Sequence, residues 1–242
     1  MDFIDEIEAF LASHSLSSGD FVPVPVGASS PEQAALESER LRDRAGKAFF
    51  IVEDRWRSQG DAVRLRMLAH SGQFRHIYAR NCEAVRIDRP TACGFLQLTH
   101  SYGDASCRFR YGLFHDGGLV AAAEFSSARK WRKGERTVRS YEWVRYASLP
   151  DVRVVGGMGK VLDAFVKDVR PDDVMSYADL EWSDGSVYRS LGFEIDGAKD
   201  PVMFAVDPSD WSRTALKPGF EPSDNCLYYR NFGSLKYRKK FY

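Results

Sequence analysis

The sequence predicts a mixed α/β fold in which one mixed sheet carries helices on its faces. First, apolar runs of strand length alternate with segments of helical periodicity from about residue 96 onward. Second, two of these runs flank His115-Asp116-Gly117-Gly118, a strong signal for an antiparallel hairpin. Third, strands and helices alternate after the hairpin, which is typical of parallel strand-helix-strand units. An antiparallel hairpin that leads into such units predicts a mixed sheet.

The first 46 residues read as a small appendage of helices and extended chain. Apolar residues at helical spacing predict a helix over residues 3–11, and Pro23 and Pro25 keep the next segment extended. Ser30 and Pro31 then begin a second helix, which Gly46 is expected to end. We therefore divide the chain into a cap at 1–46 and a mixed-sheet domain at 47–242.

The domain can be assigned element by element from apolar periodicity and from glycine and proline punctuation. Strands are predicted at 47–54, 84–88, 140–149, 173–180 and 201–208, with the hairpin over 106–125. Helices are predicted at 61–72, 91–100, 157–170 and 184–193. Residues 129–139 are expected to be a solvated basic connector, and the last residues an aromatic and basic tail.

The overall composition excludes several classes of protein. The 34 basic and 34 acidic residues balance, so any attraction for nucleic acid must be local. No apolar run reaches the roughly 18 residues of a spanning helix, and we expect no membrane association. The four cysteines lack metal-ligand spacing, so we expect no metal and a reducing, cytoplasmic location. The oligomeric state is not predicted.

A glycine-rich turn between a predicted strand and a predicted helix is the first candidate site. Glycines in such a turn let backbone N–H groups approach a phosphate, and the helix N-terminus favours its negative charge. A tight structural turn with nothing bound is equally compatible with the pattern. The candidate anion-binding residues are Val154, Val155, Gly156, Gly157, Gly159 and the point charge Lys160.

Polar residues near strand and helix ends form the second candidate site. His100 ends a helix and Asp179 ends a strand, so either is a candidate general base, and Tyr188 on the following helix is a candidate general acid. Tyr177 shares a strand face with Asp179. Capping, packing and ion pairing are the structural alternatives.

Glu142 and Arg145 lie within a single predicted strand. Simple alternation places Glu142, Val144 and Tyr146 on one face, and Tyr141, Trp143 and Arg145 on the other. We expect Glu142 and Arg145 to orient the reacting groups, and an ion pair across the sheet is the alternative interpretation.

Two basic segments interleaved with aromatic residues are candidates for contact with nucleic acid. Basic side chains bind phosphates, and aromatic rings stack on unpaired bases. Solvated loops are the alternative. The candidate residues are Arg129, Lys130, Trp131, Arg132 and Lys133 in the connector, and Lys236, Arg238, Lys239 and Lys240 near the end.

The order of these motifs resembles a known family. The motifs are "FFIVEDRW", "FLQLTHSYG", "YGLFHDGGLVAAAEF", "YEWVRYA", "VVGGMGKVL" and, most specifically, "SYADLEWSDGSVYRSLGF". Residues 47–206 resemble the GNAT-like acyltransferase-fold domain at the C-terminus of phage and intron homing-type endonucleases. They are more distantly similar to the phage Mom DNA-modification proteins. The turn matches the usual acyltransferase turn only at Gly157 and Gly159.

The resemblance implies a GNAT-fold acyltransferase that uses acyl-CoA, such as acetyl-CoA, and modifies a nucleic-acid base, with DNA as the expected partner. The N-terminal cap would be a truncated nuclease-like remnant without nuclease activity. A catalytically inactive DNA-binding module and a small-molecule N-acetyltransferase remain alternatives, since a fold does not fix a function.

Overall fold

A computed structural model describes residues 2–44, 47–219 and 225–242. The helices are α1 (Phe3–Ser13), α2 (Pro31–Arg42), α3 (Glu53–Ser58), α4 (Gly60–His70), α5 (Arg89–Thr99), α6 (Gly157–Val169) and α7 (Ser186–Ser190), with a 3-10 helix at Ala79–Asn81. The first strands are β1 (Phe21–Val24), β2 (Phe49–Val52), β3 (Arg75–Tyr78), β4 (Glu83–Arg86), β5 (Phe109–His115), β6 (Gly118–Phe125), β7 (Arg129–Lys133) and β8 (Arg136–Ser148). The remaining strands are β9 (Val152–Val155), β10 (Asp173–Asp179), β11 (Glu194–Lys199), β12 (Met203–Val206), β13 (Arg213–Ala215), β14 (Leu227–Arg230) and β15 (Ser234–Lys240).

The chain forms two compact units, and each is built from several separate segments of the chain. Their boundary is therefore not a single point after residue 46. The first unit contains the residues up to Val63 together with 178–187 and 196–236, and the second contains 64–177, 188–195 and 237–242. The predicted cap is therefore one part of a unit that also takes in later segments of the chain. The predicted helix stop at Gly46 lies outside the described residues, and α2 ends at Arg42.

The first unit combines a parallel strand pair, β1 with β2, and a three-stranded antiparallel sheet in the order β13-β12-β14. Helix α2 begins as predicted, because the Ser30 hydroxyl accepts the Gln33 N–H at 3.3 Å and Pro31 occupies the first turn. The core includes fully buried Phe50, which meets the Phe232 ring edge-on at 4.6 Å between centroids.

A buried ion pair lies inside the first unit. The Asp54 carboxylate accepts two hydrogen bonds from the Arg213 guanidinium, and both side chains are almost fully buried. The guanidinium also lies over the rings of Phe204 and Tyr229, at 5.2 and 5.0 Å. Burial raises the pKa of the neighbouring Glu181 to about 7, and its carboxyl accepts the Tyr229 hydroxyl at 2.5 Å.

A mixed sheet dominates the second unit and confirms the predicted fold class. Its strands follow the order β11-β15-β10-β8-β6-β5-β4, with β7 paired to β8. The predicted hairpin is present as β5 and β6, and its turn residues Asp116 and Gly117 have φ of 49° and 77°. Two successive positive φ values explain why this turn takes Asp-Gly.

Helices cover both faces of this sheet. On one face, α6 inserts Phe165, which stacks on Phe125 at 4.0 Å between centroids and meets Tyr111 edge-on at 6.1 Å. On the other face, Leu96 of α5 packs with Ala122 and Ala147. The small alanines of β6 therefore allow α5 to pack closely against the sheet. The α5 face and the α6 face are the two sides of the sheet on which the site residues lie.

The basic connector and the tail differ from their predicted forms. Residues 129–139 are not a loop, because β7 pairs with β8 in an antiparallel hairpin. The register begins where Arg129 faces Ser140 and ends where Lys133 faces Arg136. The tail is strand β15, which lies inside the sheet next to β10. Among the described residues, none of the helices combines the length and apolarity needed to cross a bilayer.

Candidate active site

The glycine-rich turn leads directly into the N-terminus of α6, as predicted. Gly156 occupies the N-cap position with φ of 77°, and among the described residues no side chain accepts a hydrogen bond from the first turn. The initial N–H groups of a helix lack intrahelical partners and carry partial positive charge. The turn therefore presents uncapped donors, which is the feature that an anionic ligand needs.

Close packing explains the glycine at position 157. A Cβ atom there would collide with the Tyr146 hydroxyl and would lie 2.9 Å from the side chain of Val154. Gly159 has more room, since a Cβ atom would lie 3.3 Å from the flexible Leu191 side chain. Gly157 thus serves packing as well as backbone approach, so a bulky substitution there would disturb the fold as well as any donor site.

Lys160 does not supply the predicted point charge for an anion. Its ammonium donates to the backbone carbonyls of Ala79 and Cys82 and ties α6 to the 3-10 helix. A cation that sequence reasoning missed lies close by. Exposed Arg80 stacks its guanidinium over Tyr78 at 4.8 Å, and Ala79 lies 3.6 Å from a Cβ atom built on Gly156.

The parallel strands β8 and β10 separate within the second unit. Their register runs from Ser140–Asp173 to Glu142–Met175 and stops there. Beyond this point a side chain replaces the backbone ladder, because the Ser176 hydroxyl donates to the Trp143 carbonyl at 2.8 Å. The carboxyl ends of parallel strands that diverge are a common place for ligands.

A β-bulge at the same point changes which residues share a face. Phe125 pairs with Trp143 and Glu124 pairs with Arg145, so Val144 is the extra residue of β8. The predicted alternation is therefore wrong from Val144 onward. Tyr141, Trp143 and Tyr146 lie on the α6 face, whereas Glu142 and Arg145 share the α5 face.

Tyr188 reaches the point of separation from the α6 face. Its hydroxyl lies 2.8 Å from the Ser176 hydroxyl, and its ring stacks on Tyr237 at 5.3 Å and meets Phe193 edge-on. Burial raises the pKa of Tyr188, while the hydrogen bond with Ser176 lowers it. The phenol is therefore protonated at neutral pH, as a general acid must be.

Glu142 and Arg145 occupy the opposite side of the separation. The Glu142 side chain is 19% exposed and lies 3.6 Å from Arg129. Arg145 donates to the carbonyls of Gly103 and Val144 at 3.1 and 3.0 Å, and the bond to Gly103 fixes the loop after α5. The bulge thus brings a partly exposed carboxylate and an anchored guanidinium to one face.

His100 ends α5 as predicted, but its geometry disfavours a role as base. Its Nδ1 accepts the Tyr102 N–H at 3.1 Å, so the proton of the neutral ring is on Nε2. Burial, and then Arg145, lowers the pKa of His100 to about 4. A neutral imidazole with its lone pair engaged is a weak proton acceptor, which favours Glu142 for that task.

A buried glutamate close to Asp104 was missed in the sequence. Glu124 is fully buried and accepts the Ala105 N–H and the Arg110 Nε–H, each at 3.0 Å. Burial, and then the nearby Asp104, raises the pKa of Glu124 to about 7. A glutamate inside the apolar run "AAAEF" was the available signal, since a carboxyl buried in a strand requires partners.

Asp179 and Tyr177 belong to different units. Asp179 lies in the first unit, where its carboxylate accepts the Glu181 N–H at 3.0 Å within a turn. Tyr177 lies in the second unit, and its carbonyl is 3.5 Å from the Tyr188 hydroxyl. The structure thus gives Asp179 a local turn contact and places Tyr177 beside the candidate acid.

In the second predicted basic segment, near the end of the chain, three of the four candidate residues have partners within the protein. Lys236 pairs with Asp196 at 2.8 Å, Arg238 pairs with buried Asp173, and Lys239 donates to the Leu191 carbonyl at 2.7 Å. Tyr237, the aromatic residue within this segment, is fully buried and cannot stack on a base. Lys240 is exposed.

The β7–β8 hairpin does expose part of the predicted set. Lys130 and Arg132 are exposed on either side of Trp131, whose exposed fraction is 41%. Arg129 is exposed and lies close to Glu142, whereas the structure does not describe the side chain of Lys133.

Comparisons with known proteins identify no family from the sequence. They find structural similarities, which are weak. No protein-family model matches the chain, and no curated protein is significantly similar to it. A Bacillus subtilis acetyltransferase in complex with CoA is 13% identical, with 66% of this chain and 99% of that chain covered and a TM-score of 0.44. A GNAT family acetyltransferase from Elizabethkingia anophelis with acetyl-CoA bound is 12% identical, with 66% and 99% covered and a TM-score of 0.43.

A third similarity is to a longer protein. Eis1 from Mycobacterium abscessus is 14% identical over 51% of this chain, with a TM-score of 0.40. The alignment covers 33% of Eis1, so this chain matches about a third of that protein's length. The similarity to the C-terminal domain of homing-type endonucleases and to Mom proteins stays a prediction. All three structural similarities are weak.

Proposed function

We propose that the second unit is an N-acyltransferase of the GNAT-like type, which transfers an acyl group from acyl-CoA to an amine. The observation that carries this proposal is the separation of β8 from β10 beside the uncapped N-terminus of α6. A gap between parallel strands offers an extended donor a place to lie, and uncapped N–H groups suit a pyrophosphate. Exposed Arg80 adds positive charge beside the turn.

Two proton transfers are needed, and the candidate residues for them lie on opposite faces of the sheet. Acyl-CoA, when bound, supplies an activated thioester. Glu142, on the α5 face, is positioned to accept the proton of the attacking amine, and Arg145 holds the adjoining loop. Tyr188, on the α6 face, is positioned to give its proton to the leaving sulfur. Each positioned acid or base of this kind contributes about 10²–10⁴-fold to the rate.

We further propose that the acceptor amine belongs to a nucleic acid, with DNA as the expected partner. The β7–β8 hairpin supports this proposal, because it displays an exposed tryptophan between two exposed basic side chains. Basic charge binds phosphates and an exposed ring stacks on an unpaired base. The internal pairing of Lys236, Arg238 and Lys239 favours the alternative of a small-molecule amine.

A negative charge introduced at the glycine-rich turn tests whether the acyl-CoA donor binds there. The Val155 side chain is 39% exposed and lies next to Gly156, so Val155→Asp adds a carboxylate without disturbing the core. Repulsion of a pyrophosphate across a few ångströms of partly solvated space costs about 1–2 kcal/mol, which is roughly 5–30-fold in affinity. Calorimetry with CoA should show this loss for Val155→Asp and little change for the isosteric, neutral Val155→Asn.

Two results would contradict the donor site. One is that the wild type binds neither CoA nor acetyl-CoA, which would favour a binding module over an enzyme. The other is that the Asp and Asn variants bind CoA equally well, which would place the ligand away from the turn.

The acceptor class is tested by fluorescence anisotropy with labelled single- and double-stranded DNA over a range of salt. The double variant Lys130→Ala, Arg132→Ala should flatten the log–log salt dependence by roughly one unit per lost phosphate contact. Trp131→Ala should weaken single strands more than duplex. A control double variant, Lys167→Ala, Arg108→Ala, removes two exposed basic residues elsewhere. Equal effects of the two double variants, or no binding at low salt, would favour the small-molecule acceptor.

A further inference from the structure

The separation of β8 from β10 leaves the Trp143 carbonyl without a partner in the parallel ladder. The register between the strands ends at Glu142–Met175, one residue before Trp143. A buried carbonyl without a partner is costly, and here Ser176 supplies the hydrogen bond from a side chain that is 3% exposed. Ser176 therefore occupies the point at which the sheet divides.

The chemistry of the groups fixes the direction of the next hydrogen bond. A hydroxyl carries a single proton, and a carbonyl oxygen can only accept. Since the Ser176 proton is directed to Trp143, the 2.8 Å contact between Ser176 and Tyr188 requires the Tyr188 hydroxyl to donate. The chain from Tyr188 through Ser176 to Trp143 thus runs in one direction.

We propose that Ser176 is a positioning residue for Tyr188: it holds the phenol at the division of the sheet, and it turns its own proton to the phenolate once Tyr188 has given its proton away. This inference rests on the proposed function, in which Tyr188 protonates the leaving sulfur. Ser176 does not itself touch the reacting atoms. Its proton stays on its own oxygen, and only the acceptor changes from the Trp143 carbonyl to Tyr188.

The surroundings of Tyr188 favour Ser176 as the group that donates a hydrogen bond to the phenolate. Three aromatic rings surround the phenol: Trp143 at 6.5 Å, Phe193 at 5.7 Å and Tyr237 at 5.3 Å between centroids. Arg189 directs a hydrogen bond to the Tyr237 hydroxyl at 3.0 Å, and the Tyr177 carbonyl, an acceptor, is 3.5 Å from Tyr188. Burial raises the pKa of Tyr188, and a hydrogen bond from Ser176 to the phenolate lowers it, so loss of Ser176 should raise that pKa further.

The test combines a spectroscopic and a kinetic measurement on the full chain. With tyrosine labelled with ¹³C at Cζ, the Tyr188 signal is assigned by its loss in Tyr188→Phe and followed through the alkaline range. In Ser176→Ala, Tyr188 should ionise at higher pH than in the wild type, and Ser176→Thr should restore the wild-type value. With acyl-CoA and an accepted amine, Ser176→Ala should lower kcat about tenfold with little change in the donor KM, which corresponds to about 1.4 kcal/mol.

Control variants separate positioning from a general structural effect. Ser148→Ala removes a hydroxyl that also donates to a backbone carbonyl at 2.8 Å, from Ser148 to Val152, but it should leave Tyr188 unchanged. If Ser176→Ala does not fold, Ser176→Cys keeps the shape and weakens the hydrogen bond, so it should show a smaller shift in the same direction.

The outcomes distinguish this inference from the proposed function. An unchanged Tyr188 titration in Ser176→Ala or Ser176→Cys overturns the inference, even if the protein transfers acyl groups. A raised Tyr188 titration in a protein that transfers no acyl group supports the contact and refutes the proposed function. A fall in kcat equal to that of Ser148→Ala would also overturn the positioning role.

Discussion

Asp54→Asn should strongly destabilise the first unit, because it removes the partner of a buried guanidinium. The side chains of Arg213 and Asp54 are 6% and 1% exposed and share two charge-assisted hydrogen bonds. Each such bond contributes about 1.5–3 kcal/mol, and breaking a buried pair by removal of one partner costs about 3–5 kcal/mol. A domain stable by about 5–15 kcal/mol would lose a large part of its stability.

Urea unfolding followed by circular dichroism measures the effect. The midpoint should fall in Asp54→Asn with the slope unchanged. The double variant Asp54→Leu, Arg213→Met leaves no unpaired charge and should be more stable than Asp54→Asn, since apolar replacement of a buried pair is often neutral. A cost below about 1 kcal/mol for Asp54→Asn would contradict a buried ion pair between Asp54 and Arg213, because a loss that small is typical of an exposed pair.

Three other substitutions test packing and titration. Phe165→Ala removes the ring stacked on Phe125 and should cost about 3–5 kcal/mol, whereas Phe165→Leu should cost clearly less in the same urea assay. Gly157→Ala places a methyl group against the Tyr146 hydroxyl and should cost about 1–3 kcal/mol, and no loss of stability would contradict the close approach. The raised pKa of Glu181, about 7 against 4.5, means that the unfolded chain loses this proton first, so wild-type stability should fall as pH rises through that window. Glu181→Gln should flatten this fall in a series of urea midpoints, and an unchanged slope would contradict the assignment.

The sequence predicted local structure well wherever the structure depends on the backbone preferences of a few consecutive residues. The Asp116-Gly117 turn and the Ser30 cap follow from backbone preferences of a few residues, and both are confirmed. The helix after the glycine-rich turn is also confirmed, since its apolar stripe ends in fully buried Phe165. These features depend only on neighbouring residues, which explains their success.

Features that depend on tertiary contacts were not predictable from the sequence. The bulge at Val144 inserts one residue into a regular alternation, so the faces of β8 could be assigned only with its partner strand known. The Lys160 charge is turned to backbone carbonyls of a distant segment, and the basic tail becomes an interior strand with Tyr237 buried. Arg80 was missed because its importance depends on the turn at Gly156, far away in the chain. Glu124 could have been noticed inside its apolar run, but its partners could not have been named.

We propose that the turn before α6 and the separation of β8 from β10 hold an acyl-CoA donor, and amide NMR of ¹⁵N-labelled protein titrated with CoA tests this. The amide signals of Gly157, Met158 and Gly159 should shift together on binding, while those of the first unit's β12 strand should stay in place. Binding of CoA that leaves these three amides unshifted, or no binding at all, would contradict this proposal.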